Sequence, residues 1–548
     1  MKKKKFDSWT IITLVIAFGY ALFLLYPLCV LLFKAVFDKS SGSFTLAYFK
    51  KFFSQAFYYR TLSNSFVIST VATVLSLLIG VPLAYFFTAY RIRGKKILRV
   101  FIILSSMSAP FIGAYSWILL LGRNGVITRL LHSAFGLTGM TIYGFNGILL
   151  VFVLQLFSLI FLYVEGALAT VDNSLLEASE SLGVKGVKRF ITVLVPLILP
   201  TILAGALLVF MRAFADFGTP MLIGEGYRTF PVLIFDEFIN ELGGSDEFAS
   251  AIAVLAILIT TIVFLLQKYV AKKNAVSMSS LHPIHEQPLH GIKKILIYVF
   301  SYGIVALAIA PQLYVLYTSF LKTKGMVFQK GYSFISYTTA FSKLGTSIQN
   351  TIIIPGISLA IIISLAVFIA YITVRKKNLL SSSIDIVSMI PYIIPGTVVG
   401  IALLGAFNRR PFLLTGSFTI MIIALIIRRL PYTIRSSVAT IQQIPQSIEE
   451  AALSLGSSKL NTFFKITVPM MKSGIISGAI LSWITMITEL STAIILYTAK
   501  TQTLTVAVYT EVIRGNYGVA AALSAILTLV TIFSLLLFMR VSKKQVSV

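Results

Sequence analysis

The stretch Glu177–Pro196, EASESLGVKGVKRFITVLVP, returns 273 residues later as Glu450–Pro469, EAALSLGSSKLNTFFKITVP. Glu177, Ala178, Ser181, Leu182, Gly183, Phe190, Val195 and Pro196 match Glu450, Ala451, Ser454, Leu455, Gly456, Phe463, Val468 and Pro469 at identical spacing. A repeat at one long offset sets the architecture: the chain holds two versions of one unit. In each copy three apolar positions, Leu175, Ala178, Leu182 and Ile448, Ala451, Leu455, share one helical face at i, i+3, i+7. Gly183 and Gly456 then interrupt the helix as a C-cap glycine does. A second short segment runs to Pro196 or Pro469, where the next apolar span is expected to begin. Each copy therefore reads as a helix–turn–helix elbow.

Outside the elbows the chain is mostly apolar. Of 548 residues, 57% are apolar and only 12% charged, with a mean hydropathy of +0.91. Runs of about 20 apolar residues are long enough to cross a bilayer as helices, and helices satisfy their own backbone in lipid. The first half offers six spans, roughly 11–33, 64–88, 99–121, 147–169, 199–221 and 249–269. The second offers six more, roughly 294–320, 350–374, 384–407, 413–430, 474–498 and 517–539. The fold class expected is an all-α polytopic membrane protein with about 12 transmembrane helices in two parallel six-helix repeats. Lys2–Lys5 before an apolar run resembles a signal peptide, but the run over Ile11–Phe33 is too long for one and reads as a retained first helix. The lone Cys29 rules out a disulfide within the chain.

The net charge of +27 would suit a nucleic-acid binder, but the basic residues sit mostly at the ends of apolar spans. With the N-terminus inside, the cytoplasmic segments collect Lys2–Lys5, Arg91/Arg93/Lys95/Lys96/Arg99, Lys185/Lys188/Arg189, Lys268/Lys272/Lys273/Lys293/Lys294, Arg375/Lys376/Lys377, Arg428/Arg429/Arg435/Lys459/Lys465/Lys472 and Arg540/Lys543/Lys544. The outer loop 222–248 is acidic, with Glu225, Asp236, Glu237, Glu241, Asp246 and Glu247 against Arg228. This bias places both termini, and both elbows, on the cytoplasmic side. The halves correspond elsewhere: Asn64 with Ala84-Tyr85 matches Asn350 with Ala370-Tyr371, and Asp216-x-x-Thr219 matches Glu489-x-x-Thr492. The expected division is 1–59, N-terminal helix and outer loop; 60–270, first repeat; 271–292, polar linker; 293–344, helix and outer loop; and 345–540, second repeat.

A lone elbow of this kind fits an interfacial helix on lipid as well as a docking helix. Two copies with the same Glu-Ala and the same Gly thirteen residues before Pro favour docking, because lipid contact requires only amphipathicity. The pattern Glu450-Ala451-Ala452, Gly456, Ile466-x-Val468-Pro469 resembles the "EAA loop" of permease subunits of ABC importers. The first copy departs mildly, with Ser179 for the second Ala and Val193-x-Val195-Pro196. The resemblance covers about 60–270 and 345–540. It implies the type I importer permease fold, with Glu177, Ala178, Leu182, Gly183 and Pro196, and Glu450, Ala451, Ala452, Leu455, Gly456 and Pro469, as coupling sites for two copies of a cytoplasmic ATPase subunit. It further implies an extracytoplasmic substrate-binding protein, residence in a bacterial inner membrane, and ATP and Mg bound by the ATPase rather than by this chain. The phrases Ser108-Ala109-Pro110-Phe111-Ile112-Gly113-Ala114, Phe214–Pro220 and Glu489–Thr492 are similar to fused two-domain permeases of the ferric-iron type, with thiamine and phosphonate permeases as near relatives.

No catalytic machinery is visible, and Gly94-Lys95-Lys96 fails the phosphate-loop pattern. Charges near the membrane mark a pathway or gate by default, here Arg212, Asp216 and Glu489, with Thr219 and Thr492 beside them. Arg212 and Asp216, four apart, are placed to pair on one helix face, which would equally be a structural ion pair. Asp216 and Glu489 could instead offer oxygen ligands to a hard cation. His282, His285 and His290 in the linker read as incidental to a flexible tether more readily than as a metal site. Pro110, Pro391 and Pro395 are placed to break helices along a path, or to kink them. Two other classes stay open: an ion-coupled secondary transporter, which leaves the elbows unexplained, and a membrane scaffold that recruits a cytoplasmic partner.

Overall fold

The computed structural model describes residues 8–38, 42–107, 110–136, 141–239, 245–273, 282 and 284–546. Lys2–Lys5, Ser108-Ala109, Glu241 and Pro283 lie outside the described residues. The elements used below are α1 (Ser8–Val36), α2 (Ala56–Ala89), α3 (Phe145–Leu168), α4 (Asn173–Ser181), α5 (Val195–Ala215), α6 (Asp246–Lys273) and α7 (Gly291–Thr318). They continue with the hairpin β1–β2 (Leu321–Lys324, Val327–Tyr332), then α8 (Ile335–Arg375), α9 (Gly396–Ala406), α10 (Phe418–Gln443), α11 (Gln446–Ser454), α12 (Lys472–Ile487) and α13 (Tyr517–Val546). Among the described residues eight helices are long and apolar enough to cross a bilayer, or up to eleven if each of three bent pairs is one span. One of these, Leu379–Ile393 with Gly396–Ala406, bends by 112°. Pro391 opens the short helix before that break and Pro395 caps α9 after it. Neither nitrogen can donate a helix bond, which is why the span breaks there.

The expected span 413–430 belongs to α10, which runs on to Gln443. Its 26 residues are about 39 Å long at 1.5 Å per residue. Arg428 and Arg429 thus lie in the middle of a continuous helix, not at its end. The apolar count stops at the first pair of arginines; the helix does not.

The chain divides into two compact units. One comprises Lys50–Asp236 and Leu255–Thr318. In it α2, α3 and α5 pack on one another, and α7 lies against the helices Lys95–Met107 and Pro110–Leu121. Gly80 lets α2 touch α3 at Ile160 and Phe157, where a Cβ would collide. The other unit comprises Met1–Phe49, Glu237–Val254 and Ser319–Val548. There α8, α10 and α12 form the corresponding trio, joined by α13, and α1 packs on α8 and α9. Gly474 and Gly478 bring α12 against Ser436, Thr440 and Thr433 of α10. Small residues four apart are the usual device for close helix approach in lipid. The Ser436 hydroxyl donates to the Gly474 carbonyl at 2.7 Å, and Thr433 and Ser482 hydroxyls meet at 2.9 Å. Each unit thus takes its first long helix from the other half of the sequence.

Candidate functional site

Each elbow begins as a nine-residue helix, α4 or α11. Both end in the same hydrogen-bonded cap. In α4 the Gly183 N–H donates to the Glu180 carbonyl and the Val184 N–H to the Ser179 carbonyl, both at 2.9 Å. In α11 the Gly456 N–H donates to Leu453 at 3.0 Å and Ser457 to Ala452 at 3.1 Å. This is the Schellman arrangement, which needs a left-handed residue, and Gly183 and Gly456 stand at φ +82° and +88°. The expected C-cap role of both glycines is realised in the geometry.

The chain then turns through Gly186–Arg189 or Lys459–Thr462 and widens into one π-helical turn, Phe190–Leu194 or Phe463–Thr467. Pro196 and Pro469 follow at the start of the next helix. A proline cannot donate to the carbonyl four residues back and its ring crowds it, so the preceding turn opens to five-residue bonds. The N–H of Val195 reaches Phe190 O, and that of Val468 reaches Phe463 O. The helical rod therefore starts before the proline, not at it. In the first half it runs unbroken over Gly186–Ala215; in the second it bends by 69° between Lys459–Met470 and Lys472–Ile487.

The elbow surfaces also correspond. Leu175, Ala178 and Leu182 are exposed, as are Ile448, Ala451 and Leu455. Leu182 is 83% and Leu455 89% accessible, far beyond what a leucine at a helix end needs. Val187 and Leu460, at matching positions in the second arm, are exposed as well. Glu177 accepts from the Asn173 amide at 2.6 Å, and Glu450 from the Gln446 amide at 2.9 Å, the same i, i+4 contact in both copies. Ser179 and Ala452 point inward and are buried, so the two small residues after each Glu serve opposite faces.

Sequence reasoning did not foresee how each elbow is held. The Arg375 guanidinium, at the end of α8, donates to Glu449 Oε1 at 3.0 Å and to the Ile444 carbonyl at 2.6 Å. The Tyr371 hydroxyl donates to Glu449 Oε2 at 3.1 Å. In the first elbow Glu180 instead pairs with Arg189 at 3.1 Å and Lys185 at 3.6 Å. The chain between the repeats is not wholly free: the Asn173 N–H donates to the His282 carbonyl at 2.9 Å, and Gln287 bridges Ala89 O and the Arg91 N–H. Among the described residues no group of His, Cys, Asp or Glu is gathered to hold a metal ion.

The second group of sequence candidates separates into two. Glu489 is buried between two arginines of α10: Arg428 Nη1 lies 2.7 Å from Oε1, and Arg429 Nη2 bonds Oε2. The Thr492 N–H and the Ser491 hydroxyl also donate to Oε1, at 3.1 and 2.8 Å. The Thr492 hydroxyl donates to the Gly396 carbonyl at the break before α9, at 3.1 Å. Its carboxylate is thus fully engaged by donors and is not an open oxygen ligand. In the first half Asp216 Oδ1 accepts the Thr219 N–H at 2.9 Å, the same acid-to-Thr contact. Among the described residues no ion pair joins Arg212 to Asp216: α5 ends at Ala215 and Asp216 is extended, with ψ 129°. The i, i+4 rule fails because the helix does not continue. The structure brings Glu489 and Thr492 together with Arg428 and Arg429, residues the sequence had placed elsewhere.

The model of the family described as "Binding-protein-dependent transport system inner membrane component" matches residues 76–276 and 362–547. The chain is 28% identical to the ferric transport system permease protein FbpB of Actinobacillus pleuropneumoniae, over 98% of this chain and 78% of that protein. It is 28% identical to the putative ferric transport system permease protein FbpB 1 of Haemophilus influenzae, over 88% of this chain and 76% of that protein. The molybdenum transport system permease protein ModB of Haemophilus influenzae is 30% identical, over 38% of this chain and 92% of its own length. Both repeats are matched, with an elbow inside each matched segment, and the chain belongs to the binding-protein-dependent transport system inner membrane component family.

Proposed function

We propose that this permease carries ferric iron, delivered by an extracytoplasmic binding protein, and that two copies of a cytoplasmic ATPase subunit drive it through the elbows at Glu177–Gly183 and Glu450–Gly456. The observation that carries the coupling role is the doubled elbow: two Schellman-capped helices with exposed leucines at matching positions, open to a partner's groove. ATP and Mg would be held by the ATPase subunits, whose closure would displace the elbows and switch access across the membrane. The iron assignment is supported by the ferric permeases among the relatives, and the bias of Lys and Arg supports cytoplasmic termini. Arg212, Asp216, Thr219, Glu489 and Thr492 are assigned to the pathway or its gate, with Glu489 acting through its arginine partners rather than as an iron ligand.

The test is uptake of radioactive iron(III) by cells carrying the intact chain, the double variant Gly183→Asp with Gly456→Asp, or neither. Uptake lost in the double variant, with normal membrane insertion, supports iron import coupled through the elbows. Uptake unchanged by deletion of the chain rejects iron as cargo. Uptake lost on deletion but intact in the double variant rejects coupling through the elbows.

A further inference from the structure

The two elbows are alike in their exposed faces and unlike in their anchoring. In the second unit Arg375 is the last residue of α8, and its side chain reaches three things at once. It meets the Glu449 carboxylate on the first turn of α11, and the carbonyls of Ile441 and Ile444 where α10 ends, at 3.4 and 2.6 Å for the latter two. Glu449 is 6% exposed, so the pair is sheltered from water. Tyr371, one turn earlier, bonds the other carboxylate oxygen and meets Phe463 of the π turn edge to face, with ring centroids 4.9 Å apart. Helix ends α8 and α10 and both arms of the elbow thus meet at one charged rivet.

The first unit repeats the aromatic part but not this ion pair; there Arg189, paired with Glu180, sits against Tyr85. Tyr85 and Phe190 stand at the matching positions with centroids 4.6 Å apart. Where the second half has Arg375 and Glu449, the first has Ala89 and Leu176. Leu176 is buried, and the Ala89 carbonyl is taken by the Gln287 N–H at 2.9 Å. The first elbow is anchored at its N-cap instead, where Asp172 and Asn173 bond the backbone at His282 and His285.

We propose that Arg375 and Glu449 are positioning residues for energy coupling: they join the second elbow to α8 and α10, so that force applied at the elbow reaches those helices through an ion pair that has no counterpart at Ala89 and Leu176 of the first half. The proposal rests on the reading of the elbows as ATPase docking sites. An ion pair sheltered in this way resists shear that apolar contacts permit, because both partners lose hydrogen bonds when they separate. Neither residue belongs to the exposed face, so each acts on coupling and not on docking.

The deciding variant is the double substitution Arg375→Ala with Glu449→Leu, which gives the second half the residues of the first and leaves no unpaired buried charge. The assembled complex with its ATPase and binding protein is reconstituted in vesicles, and iron(III) uptake is measured per ATP hydrolysed. Docking is followed separately by a disulfide cross-link from a cysteine at position 455 (Leu455→Cys) to the ATPase. The expected result is an intact cross-link with uptake per ATP reduced about tenfold. Glu449→Gln, which keeps the size and one acceptor oxygen, is expected to show a smaller loss in the same direction, and it decides the matter if the double variant does not assemble. Uptake per ATP equal to that of the unaltered chain overturns the proposal. Absence of the cross-link in the chain otherwise unaltered overturns the elbow reading itself, and the clamp with it.

Discussion

At the scale of single residues, the most constrained position is Glu489. One carboxylate faces two guanidiniums, each side chain less than 15% exposed. Neutralising the shared acid removes the one carboxylate that both arginines contact, while Arg428 keeps the Ser491 and Thr492 hydroxyls. Glu489→Gln is expected to destabilise the protein by about 3–5 kcal/mol, in the range for a broken buried pair. Thermal unfolding in detergent measures it. A shift of under a degree would mean that the arginines find other acceptors. The two left-handed glycines give a second residue-scale expectation. Nothing lies within 4 Å of a Cβ built at Gly183 or Gly456, so alanine meets no clash and pays only the left-handed strain, about 1–2 kcal/mol. Gly183→Ala should leave insertion normal and weaken the cap, read as faster amide exchange at Val184. Equal exchange in both proteins would show that the cap does not depend on glycine.

At the scale of elements, what could be read in advance depended on whether the physics was local. The elbow needed only a short periodic face, a glycine and a proline, all within 20 residues, and its helix, cap and exposed leucines stand where the pattern put them. The π turn before Pro196 and Pro469 is local too, but no side-chain pattern announces it; the missing N–H and ring clash of proline produce it. The long-range contacts were not legible. Arg428 and Arg429 read as the end of a span because their partner Glu489 lies about 60 residues further on. Arg375 read as a topology charge, since nothing in the sequence ties it to Glu449. Asp216 misled in the opposite way: a four-residue spacing from Arg212 suggested a pair that the end of α5 prevents. The α10–α12 contact supplies an element-scale test. Gly478→Leu places bulk against the Thr433 backbone and the Ser436 side chain, where a Cβ alone would come within 3 Å of both. It should cost about 1–3 kcal/mol, as overpacking does. The same change at Gly166, beside which no atom lies within 4 Å, should cost little. Equal thermal stability of the two variants would refute close packing at the α10–α12 crossing.

At the scale of the whole molecule, the exchange of first helices makes the two halves of the chain interdependent. The α1 helix belongs to the unit built from the second repeat: Trp9 is 2% exposed and lies between Tyr371 and Phe463, at 4.4 and 5.0 Å between ring centroids. Conversely α7 belongs to the unit built from the first: Tyr298 accepts the Arg93 N–H at 2.9 Å, Tyr302 bonds the Arg93 carbonyl, and Lys293 sits over the Tyr90 ring. A cut between residues 277 and 278 falls after α6 and before α7 and gives each fragment a helix that the other fragment's core requires. Expressed alone, fragment 1–277 would leave the α7-facing surface of its core open to lipid, and fragment 278–548 would leave the seat of Trp9 empty. Each hydrogen bond so lost leaves a polar backbone or side-chain group without its partner in or near an apolar medium. Co-expressed fragments should copurify and restore uptake, and either alone should be degraded. A fragment that accumulates stably by itself, with native-like protease resistance, would show that the exchanged helices are dispensable to the cores they join.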